Sequence, residues 1–373
     1  MPEPPQLVSQ IVDTCLNVKA GENVWVQTWD HTVDLASEIA LACRQRGAHP
    51  TVTLTSEDFW LRSLTETPKE QLETLPSSQS AMLGQTDAFV FMLGPKTPVD
   101  WSKIPREKQE LADVWYLGSN RYMDQWRKKA KERSVRTLGI EYCLVTQERA
   151  QALGLNWQDW KAAMLAGCLV NQREIAANCE RFARRFREGH EVSVRTSFGT
   201  RLDFNLAGRD AVEGDSIVSR QDAAQGVVKF LPSGFVEVAP DEGSLEGTAV
   251  FDAPILIKGR ERIEGLVLEF KHGKVTEHSA ERGIEAFKDY LKSSQGDLDK
   301  FAFFGVGLNP GLRHGFTQDD KVLGGVTIGV GGNEDKGGKN RTLNNRHWWA
   351  SMTKATVQVD GALLFRDGCV INP

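Results

Sequence analysis

The chain has 373 residues, of which 40% are hydrophobic and 25% charged, and its net charge is −5. This length exceeds one ordinary core, so we expect two domains, and the acidic balance argues against a nucleic-acid partner. No apolar run approaches the roughly 20 residues that span a bilayer, and no secretion signal opens the chain. Because six scattered cysteines fit reduced thiols, we expect a cytoplasmic protein without a membrane partner.

The first part of the chain alternates helix and strand signals. Apolar residues recur at helical spacing from Leu7 to Leu16 and from Leu35 to Cys43. The predicted strands are Asn23–Thr28, Thr51–Leu54, Ala88–Leu93, Asp113–Leu117 and Thr137–Ile140. Helices between near-continuous apolar strands are typical of a parallel sheet covered on both faces. We therefore predict an α/β N-terminal domain over residues 1–155.

A long helical pattern follows, and after it the texture changes to β-alternation. The helix runs from about Trp157 to Glu188 and is interpreted as a bridge over residues 156–190. The later strand signals are Glu191–Arg195, Phe235–Val238, Leu266–Phe270, Val322–Val330, Ala355–Val359 and Ala362–Phe365, with one helix at Ala280–Leu291. Asp360-Gly361 between the last two strands indicates a hairpin turn. Residues 191–373 are thus predicted to form a β-rich (α+β) C-terminal domain.

Common catalytic motifs do not explain the sequence. It contains no Walker loop, no HExxH and no GxSxG pattern. Gly305-Val-Gly-Leu-Asn-Pro-Gly311 has a misplaced third glycine, and Pro310 interrupts it, so a tight turn is favoured over a dinucleotide loop. Function must therefore be sought in a longer series of weaker signatures.

That series lies in the C-terminal half. Its members, in order, are Thr196–Phe204 with Gly208-Arg209, Leu231–Pro240 with Glu246-Gly247-Thr248, Gly305–Pro310, Asp320–Gly331, His347-Trp348-Trp349 and Asp360-Gly361. In order and spacing it resembles the M29 aminopeptidases, which include aminopeptidases T and S, and equally the 2,5-dihydroxypyridine dioxygenases that share their fold. Phe235, in Pro-Ser-Gly-Phe, is closer to the dioxygenase branch. The resemblance implies an M29 aminopeptidase-like fold and, by analogy, a homo-oligomer.

The resemblance also implies a metal site, but most of its ligand positions have changed. Carboxylates and imidazoles bind the metals in the relatives. The corresponding positions here hold Phe235, Phe303, Thr327, His347 and Trp349, so that only one histidine survives. Phenyl and indole rings offer no lone pair suited to iron or zinc. Neither inherited metal site can form from these residues, and we expect no cofactor.

A rebuilt metal site is the alternative. Glu237 lies two residues after Phe235, so on a strand both side chains point to the same face. Glu237, His314, Asp320 and His347 could then bind iron, zinc or manganese as relocated ligands.

Without a metal, the replaced site predicts a cavity lined by aromatic side chains. Such a cavity suits a flat organic substrate. His347 is the candidate general base or acid, assisted by Glu237 or Asp320 as further catalytic residues. The candidate substrate-binding residues are Phe235, Phe303, Thr327, His314, Arg341, Asn345, Arg346, Trp348 and Trp349, the two arginines as a clamp for a carboxylate.

Three functions remain open from the sequence. The leading hypothesis is a metal-independent hydrolase or lyase that acts on a small aromatic or heterocyclic acid or amide through His347. The second is an aminopeptidase or ring-cleaving dioxygenase with relocated metal ligands. The third is a non-catalytic relative that binds a small molecule. His347-Trp348-Trp349 could equally be the start of an ordinary packed strand, and Arg341 and Arg346 ordinary surface charges.

Overall fold

The computed structural model describes residues 5–112, 121–256, 261–293 and 295–371. The strands are β1 Asn23–Trp29, β2 His49–Thr55, β3 Ala88–Met92, β4 Arg136–Ile140, β5 Glu191–Arg195, β6 Arg201–Asn205, β7 Val212–Gly214, β8 Val228–Leu231, β9 Phe235–Val238, β10 Glu246–Phe251, β11 Leu266–Lys271, β12 Lys274–Ser279, β13 Phe301–Gly307, β14 Val326–Gly331, β15 His347–Met352, β16 Thr356–Val359, β17 Ala362–Arg366 and β18 Cys369–Val370.

The helices are α1 Pro5–Ser9, which continues as a π-helical turn over Gln10–Cys15, α2 Val33–Gln45, α3 Glu57–Glu66, α4 Lys69–Leu72, α5 Ser77–Leu83, α6 Arg121–Arg133, α7 Gln147–Leu153, α8 Trp157–Leu169, α9 Gln172–Glu188, α10 Arg220–Gln225 and α11 Glu285–Lys292. Among the helices within the described ranges, none is long and apolar enough to cross a membrane. The mixed α/β content and the parallel N-terminal sheet confirm the predicted fold class.

The N-terminal unit contains a parallel sheet. Its described strands lie in the order β2-β1-β3-β4-β8, and every neighbouring pair is parallel. The central strand β3 is buried along its whole length, which explains its continuous apolar run. The predicted strand at Asp113–Leu117 lies outside the described residues.

The division into units differs from the predicted boundaries. One compact unit comprises Met1–Gln172 with Ser216–Pro232, and the other comprises Arg173–Asp215 with Ser233–Pro373. The chain returns to the first unit because β8 pairs with β4 over four residues. This parallel pairing joins segments about 90 residues apart, so no local pattern reveals it.

The predicted bridging helix is two helices. Helix α8 ends at Leu169, where Val170 adopts an extended conformation with ψ of 163°. The Gln10 side-chain amide donates to the Val170 carbonyl at 2.8 Å, and the Gln172 amide donates to Cys168 at 3.1 Å. These bonds satisfy carbonyl groups that a continuous helix would use itself.

The C-terminal unit contains two antiparallel sheets. The larger has the order β12-β11-β10-β6-β5-β16-β17-β18, and the smaller has the order β15-β14-β13-β9-β7. Helix α9 adds Phe186 to the core, where its ring lies 5.2 Å from Phe304 of β13. Phe204 of β6 lies 5.2 Å from the same Phe304 ring, so the two sheets meet through aromatic contacts.

The turn at Asp360-Gly361 confirms the hairpin prediction. Both residues have positive φ, 51° and 76°, as a type I′ turn requires. Two other predicted elements are shorter than expected. Strand β14 begins at Val326 rather than at Val322, because Gly324 turns with φ of 79°. Helix α11 spans Glu285–Lys292, so it begins later than the predicted Ala280–Leu291 and ends one residue beyond it.

Candidate active site on the smaller sheet

One face of the smaller sheet collects most of the positions singled out in the sequence. In register, Glu237 lies beside Gly305, Gly305 beside Thr327, and Thr327 beside Ser351. Paired residues of antiparallel strands point to the same face, as do residues two apart. We call this side of the sheet the site face; Phe304 points to the opposite side, into the core. The site face carries Phe235, Glu237, Phe303, Thr327, His347 and Trp349.

Glycines on the site face make room for the two phenyl rings. A Cβ atom added to Gly214 would lie 2.1 Å from the Phe235 ring, and one added to Gly329 would lie 2.1 Å from the Phe303 ring. Each ring therefore rests on a glycine of the neighbouring strand. Phe303 is 1% exposed, so its ring is packed in the interior and is not the open substrate contact that we predicted.

Thr327 is likewise closed off from a substrate. It is 1% exposed, and its hydroxyl lies 2.9 Å from the Ser351 hydroxyl, so the two side chains satisfy one another. The predicted substrate contact of Thr327 is therefore not possible in this arrangement. The two hydroxyl groups therefore pair with one another on the site face of strands β14 and β15.

A lysine that the sequence analysis missed occupies the site face. Lys336 comes from the short 3₁₀ turn Glu334–Lys336, and only 8% of its side chain is exposed. Its ammonium lies 3.4 Å from Glu237 Oε2, 2.9 Å from Asp335 Oδ2 and 4.7 Å from the centre of the Phe303 ring. Burial opposes the charge, but the two carboxylates outweigh it and raise the Lys336 pKa. The lysine is therefore a buried cation.

Asn345 links this lysine to His347. The Asn345 side-chain amide donates to Asp335 Oδ1 at 2.6 Å, and its backbone carbonyl lies 3.2 Å from His347 Nδ1. Asn345 adopts φ of 50°, a left-handed conformation that asparagine tolerates better than most residues. It positions Asp335 and His347 rather than binding a substrate.

His347 is held as a neutral imidazole. Burial and the nearby Lys336 ammonium together lower its pKa to about 4, because Asp335 and the Asn345 carbonyl oppose them only in part. Because a carbonyl can only accept, Nδ1 must carry the hydrogen that points at Asn345. The lone pair then lies on Nε2, where His347 can accept a proton.

A cavity of about 250 Å³ lies beside His347. Its walls are Ala253, Pro254, Ile255, Leu256, Phe316, Thr317, Asp319, His347, Trp348, Trp349, Ala350 and Ser351. The cavity combines apolar walls with two titratable groups, His347 and Asp319, as small-molecule sites commonly do. This volume suits a ligand of few atoms.

Asp319, and not Asp320, faces this cavity. Of these two residues, only Asp319 belongs to the cavity wall formed by the described residues. Asp319 is also buried, with 6% of its surface exposed. Burial raises the Asp319 pKa to about 7, although the backbone N–H groups of Gly315 and Phe316 donate to Oδ1 at 2.9 and 3.3 Å. The residue is thus a carboxyl group poised to exchange a proton near neutrality.

His314 lies behind Asp319 rather than in the cavity wall. Its Nδ1 lies 3.9 Å from Asp319 Oδ1, too far for a hydrogen bond, and burial lowers its pKa. Its ring packs on Gly325, where an added Cβ would lie 2.9 Å from Cε1. The predicted substrate contact of His314 is therefore replaced by a supporting role.

Of three further predicted substrate contacts, Trp348 belongs to the cavity wall and the two arginines do not. The Trp348 ring also packs on α11, where its centre lies 4.7 Å from that of Phe287. The Arg346 guanidinium lies 5.8 Å from the Tyr290 ring centre. Arg341 has a 59% exposed side chain paired with Glu334. The predicted arginine clamp for a carboxylate is therefore not formed at the described cavity wall.

The residues present do not suit the metal that the resemblance implies. In the described parts of the chain, no group of three or more His, Cys, Asp or Glu side chains is arranged to hold a metal ion. Glu237 is engaged with the Lys336 ammonium instead. A second positive charge beside this ammonium would be repelled, so the donor set and the local charge both disfavour a divalent cation.

Comparisons with known proteins agree with the fold. The structure superimposes on wild-type AmpT from Thermus thermophilus with a TM-score of 0.69 at 17% identity, covering 99% of this chain and 98% of that one. It superimposes on 2,5-dihydroxypyridine dioxygenase from Pseudomonas putida KT2440 with a TM-score of 0.56 at 18% identity, covering 99% and 96%. No curated protein matches the sequence significantly. The family profile described as thermophilic metalloprotease (M29) matches residues 5–298, and the chain therefore belongs to the M29 peptidase family.

Proposed function

We propose that this protein is a metal-independent hydrolase or lyase that acts on a small aromatic or heterocyclic amide by acid–base catalysis. The observation that carries the proposal is that His347 and Asp319 both lie on the wall of one cavity. Their surroundings move their pKa values in opposite directions, to about 4 and about 7. When the surroundings move the pKa values of two neighbouring groups apart, one group commonly acts as the base and the other as the acid.

The protonation states assign the roles. Near pH 5.5 His347 is neutral and can accept a proton at Nε2, while Asp319 is protonated and can donate one. In amide hydrolysis, water attacks the carbonyl carbon as His347 takes its proton, and Asp319 protonates the departing nitrogen as the C–N bond breaks. In an elimination, His347 removes the proton from carbon and Asp319 protonates the leaving group. His347 then releases the proton it has taken to solvent, and Asp319 takes a proton back from solvent.

The cavity walls narrow the substrate class. Trp349, Phe316 and Ile255 offer apolar and aromatic surface to a flat ring. No arginine or lysine stands on the described wall, so nothing there compensates a substrate carboxylate. A neutral amide is therefore favoured over the free acid that the sequence also allowed.

The test is the pH dependence of kcat/KM on a panel of pyridine and benzene carboxamides. The rate should follow a bell-shaped curve with limbs near pH 4 and pH 7. Asp319→Asn should abolish the limb near pH 7 and lower kcat about 10²-fold or more. His347→Asn should abolish the limb near pH 4, whereas His272→Asn, on a 79% exposed side chain, should change nothing.

Three results would contradict the proposal. Full activity in Asp319→Asn together with lost activity in Asp320→Asn would transfer the acid role to the neighbouring carboxylate. Turnover that requires added iron, zinc or manganese would instead favour the metal enzyme with relocated ligands. Ligand binding without turnover across the panel would favour a non-catalytic relative.

A further inference from the structure

The site face carries one more charged group than acid–base catalysis requires. Lys336 is almost fully buried, and its long side chain reaches across the Phe303 ring to Glu237. Lysine is seldom buried, since removing an ammonium from water is costly unless anions replace the water. Its presence here therefore needs a reason beyond packing.

Two carboxylates and an aromatic ring surround the ammonium. Their negative charge suits a cation, but they do not form a complete set of metal ligands. Glu237 Oε2 lies 3.4 Å from Nζ and Asp335 Oδ2 lies 2.9 Å from it. The Glu237 side chain is 13% exposed, so this carboxylate depends on the lysine for compensation, whereas Asp335 is 46% exposed and shares its charge with solvent. The Phe303 face contributes a cation–π contact at 4.7 Å.

The turn that carries Lys336 is anchored. The Glu334 backbone N–H donates to Asn345 Oδ1 at 3.1 Å, and the Glu334 side chain pairs with the Arg341 guanidinium at 3.0 Å. Asn333, fully buried, donates to the Ala302 carbonyl of β13 at 2.8 Å and so attaches the turn to the strand beside Phe303. The ammonium is therefore held in place by its own turn and not merely folded in.

We propose that the Lys336 ammonium takes the place of a divalent cation on the site face. It supplies a permanent, covalently tethered positive charge that compensates Glu237 and Asp335 and keeps metal ions out. This inference deepens the proposed function, because it explains how the same site works in a family described as metalloproteases. Removing the ammonium should leave the Glu237 and Asp335 carboxylates close together without a compensating charge, and carboxylate oxygens completed by water ligands can bind a divalent cation.

The experiment compares metal binding in four proteins purified without added metal. Isothermal titration with Mn²⁺ and Zn²⁺, together with elemental analysis, should find no stoichiometric metal in the wild type. Lys336→Met should bind one of the two ions at least tenfold more tightly than the wild type. Lys339→Met, which removes an exposed lysine of the same loop, should behave as the wild type. The double variant Glu237→Gln/Lys336→Met should lose the gained binding.

The design remains decisive if the single variant folds poorly. In that case the double variant, which removes both charges of the buried pair, should recover the melting temperature, because the defect is an unpaired carboxylate. Equal loss of folding in both variants would show that Lys336 serves packing and would overturn the inference. Stoichiometric metal in the wild type, or Lys336→Met binding metal no better than the wild type, would overturn it as well. None of these measurements needs turnover, so the inference can fail while the acid–base assignment stands.

Discussion

Replacing Asp319 by asparagine and His347 by glutamine should change the pH dependence of stability in opposite directions. The pKa of Asp319 is raised from 3.8 to about 7 in the folded protein, so the folded state holds a proton that the unfolded state has lost. This contribution is fully present below pH 3.8 and is lost as the pH rises through about 7. The pKa of His347 is lowered from 6.5 to about 4, so its contribution is present above pH 6.5 and is lost as the pH falls through about 4.

The magnitudes follow from about 1.4 kcal/mol for each pH unit of difference. Asp319 should then contribute about 4 kcal/mol across its window, and His347 about 3 kcal/mol across its own. The two windows overlap between pH 4 and pH 6.5, where the two effects nearly cancel in the wild type. A variant that lacks one of the two groups should therefore show the pH dependence of stability that the other group causes.

The assay is urea denaturation followed by circular dichroism at several pH values between 4 and 7.5. Relative to the wild type, Asp319→Asn should gain about 4 kcal/mol of unfolding free energy as the pH rises across this range. Relative to the wild type, His347→Gln should lose about 3 kcal/mol over the same range. Because each value is a difference between two proteins at one pH, the other titrating groups cancel. Two flat difference curves, or two curves of the same sign, would refute the opposed pKa values on which the catalytic roles rest.

Two packing predictions concern the frame of the site. Arg209 pairs through two hydrogen bonds with Glu242, at 2.8 and 3.0 Å, and the side chains are only 15% and 11% exposed, so Arg209→Met should destabilise by about 3–5 kcal/mol in thermal melts. Arg187→Met, at a pair with 48% of the arginine exposed, is the control and should cost under about 1 kcal/mol. Gly329→Ala places a Cβ 2.1 Å from the Phe303 ring and should cost about 1–3 kcal/mol. Adding Phe303→Leu should relieve part of that cost; a melting temperature unchanged by Gly329→Ala would contradict the packed arrangement.

The sequence predicts the elements well where the signal is local. Strand β3 is predicted by its apolar run, because a buried strand needs apolar residues along its whole length. The turn at Asp360-Gly361 is predicted because these residue types favour the left-handed backbone that the turn requires. The addition of β8 to the parallel sheet is not readable, since its partner β4 lies far along the chain. Periodicity shows that a strand exists, but not which strand pairs with it.

The site shows the same limit. The two-residue period correctly places Phe235 and Glu237 on one face, and the pairing register then brings Thr327 and His347 to that face. Lys336 could not be found in this way. It lies in a loop rich in glycine and charge, where a lysine is ordinarily solvated, and only the fold turns its side chain inward onto Phe303. The closest sequence signal was the loss of metal ligands itself, since carboxylates that remain without a metal require another cation.

The choice between Asp319 and Asp320 shows why residue type alone does not assign a catalytic group. The two carboxylates are adjacent, but successive residues of a 3₁₀ turn point about 120° apart, and of the two only Asp319 belongs to the described cavity wall. Asp319 is the one fixed inward, because its Oδ1 accepts the N–H groups of Gly315 and Phe316. Those two bonds lower the pKa, yet burial raises it to about 7, so burial is the stronger influence. A carboxyl group that is oriented by backbone N–H groups but buried away from water is suited to donate a proton at neutral pH. In this chain that group is Asp319, whereas the sequence favours Asp320.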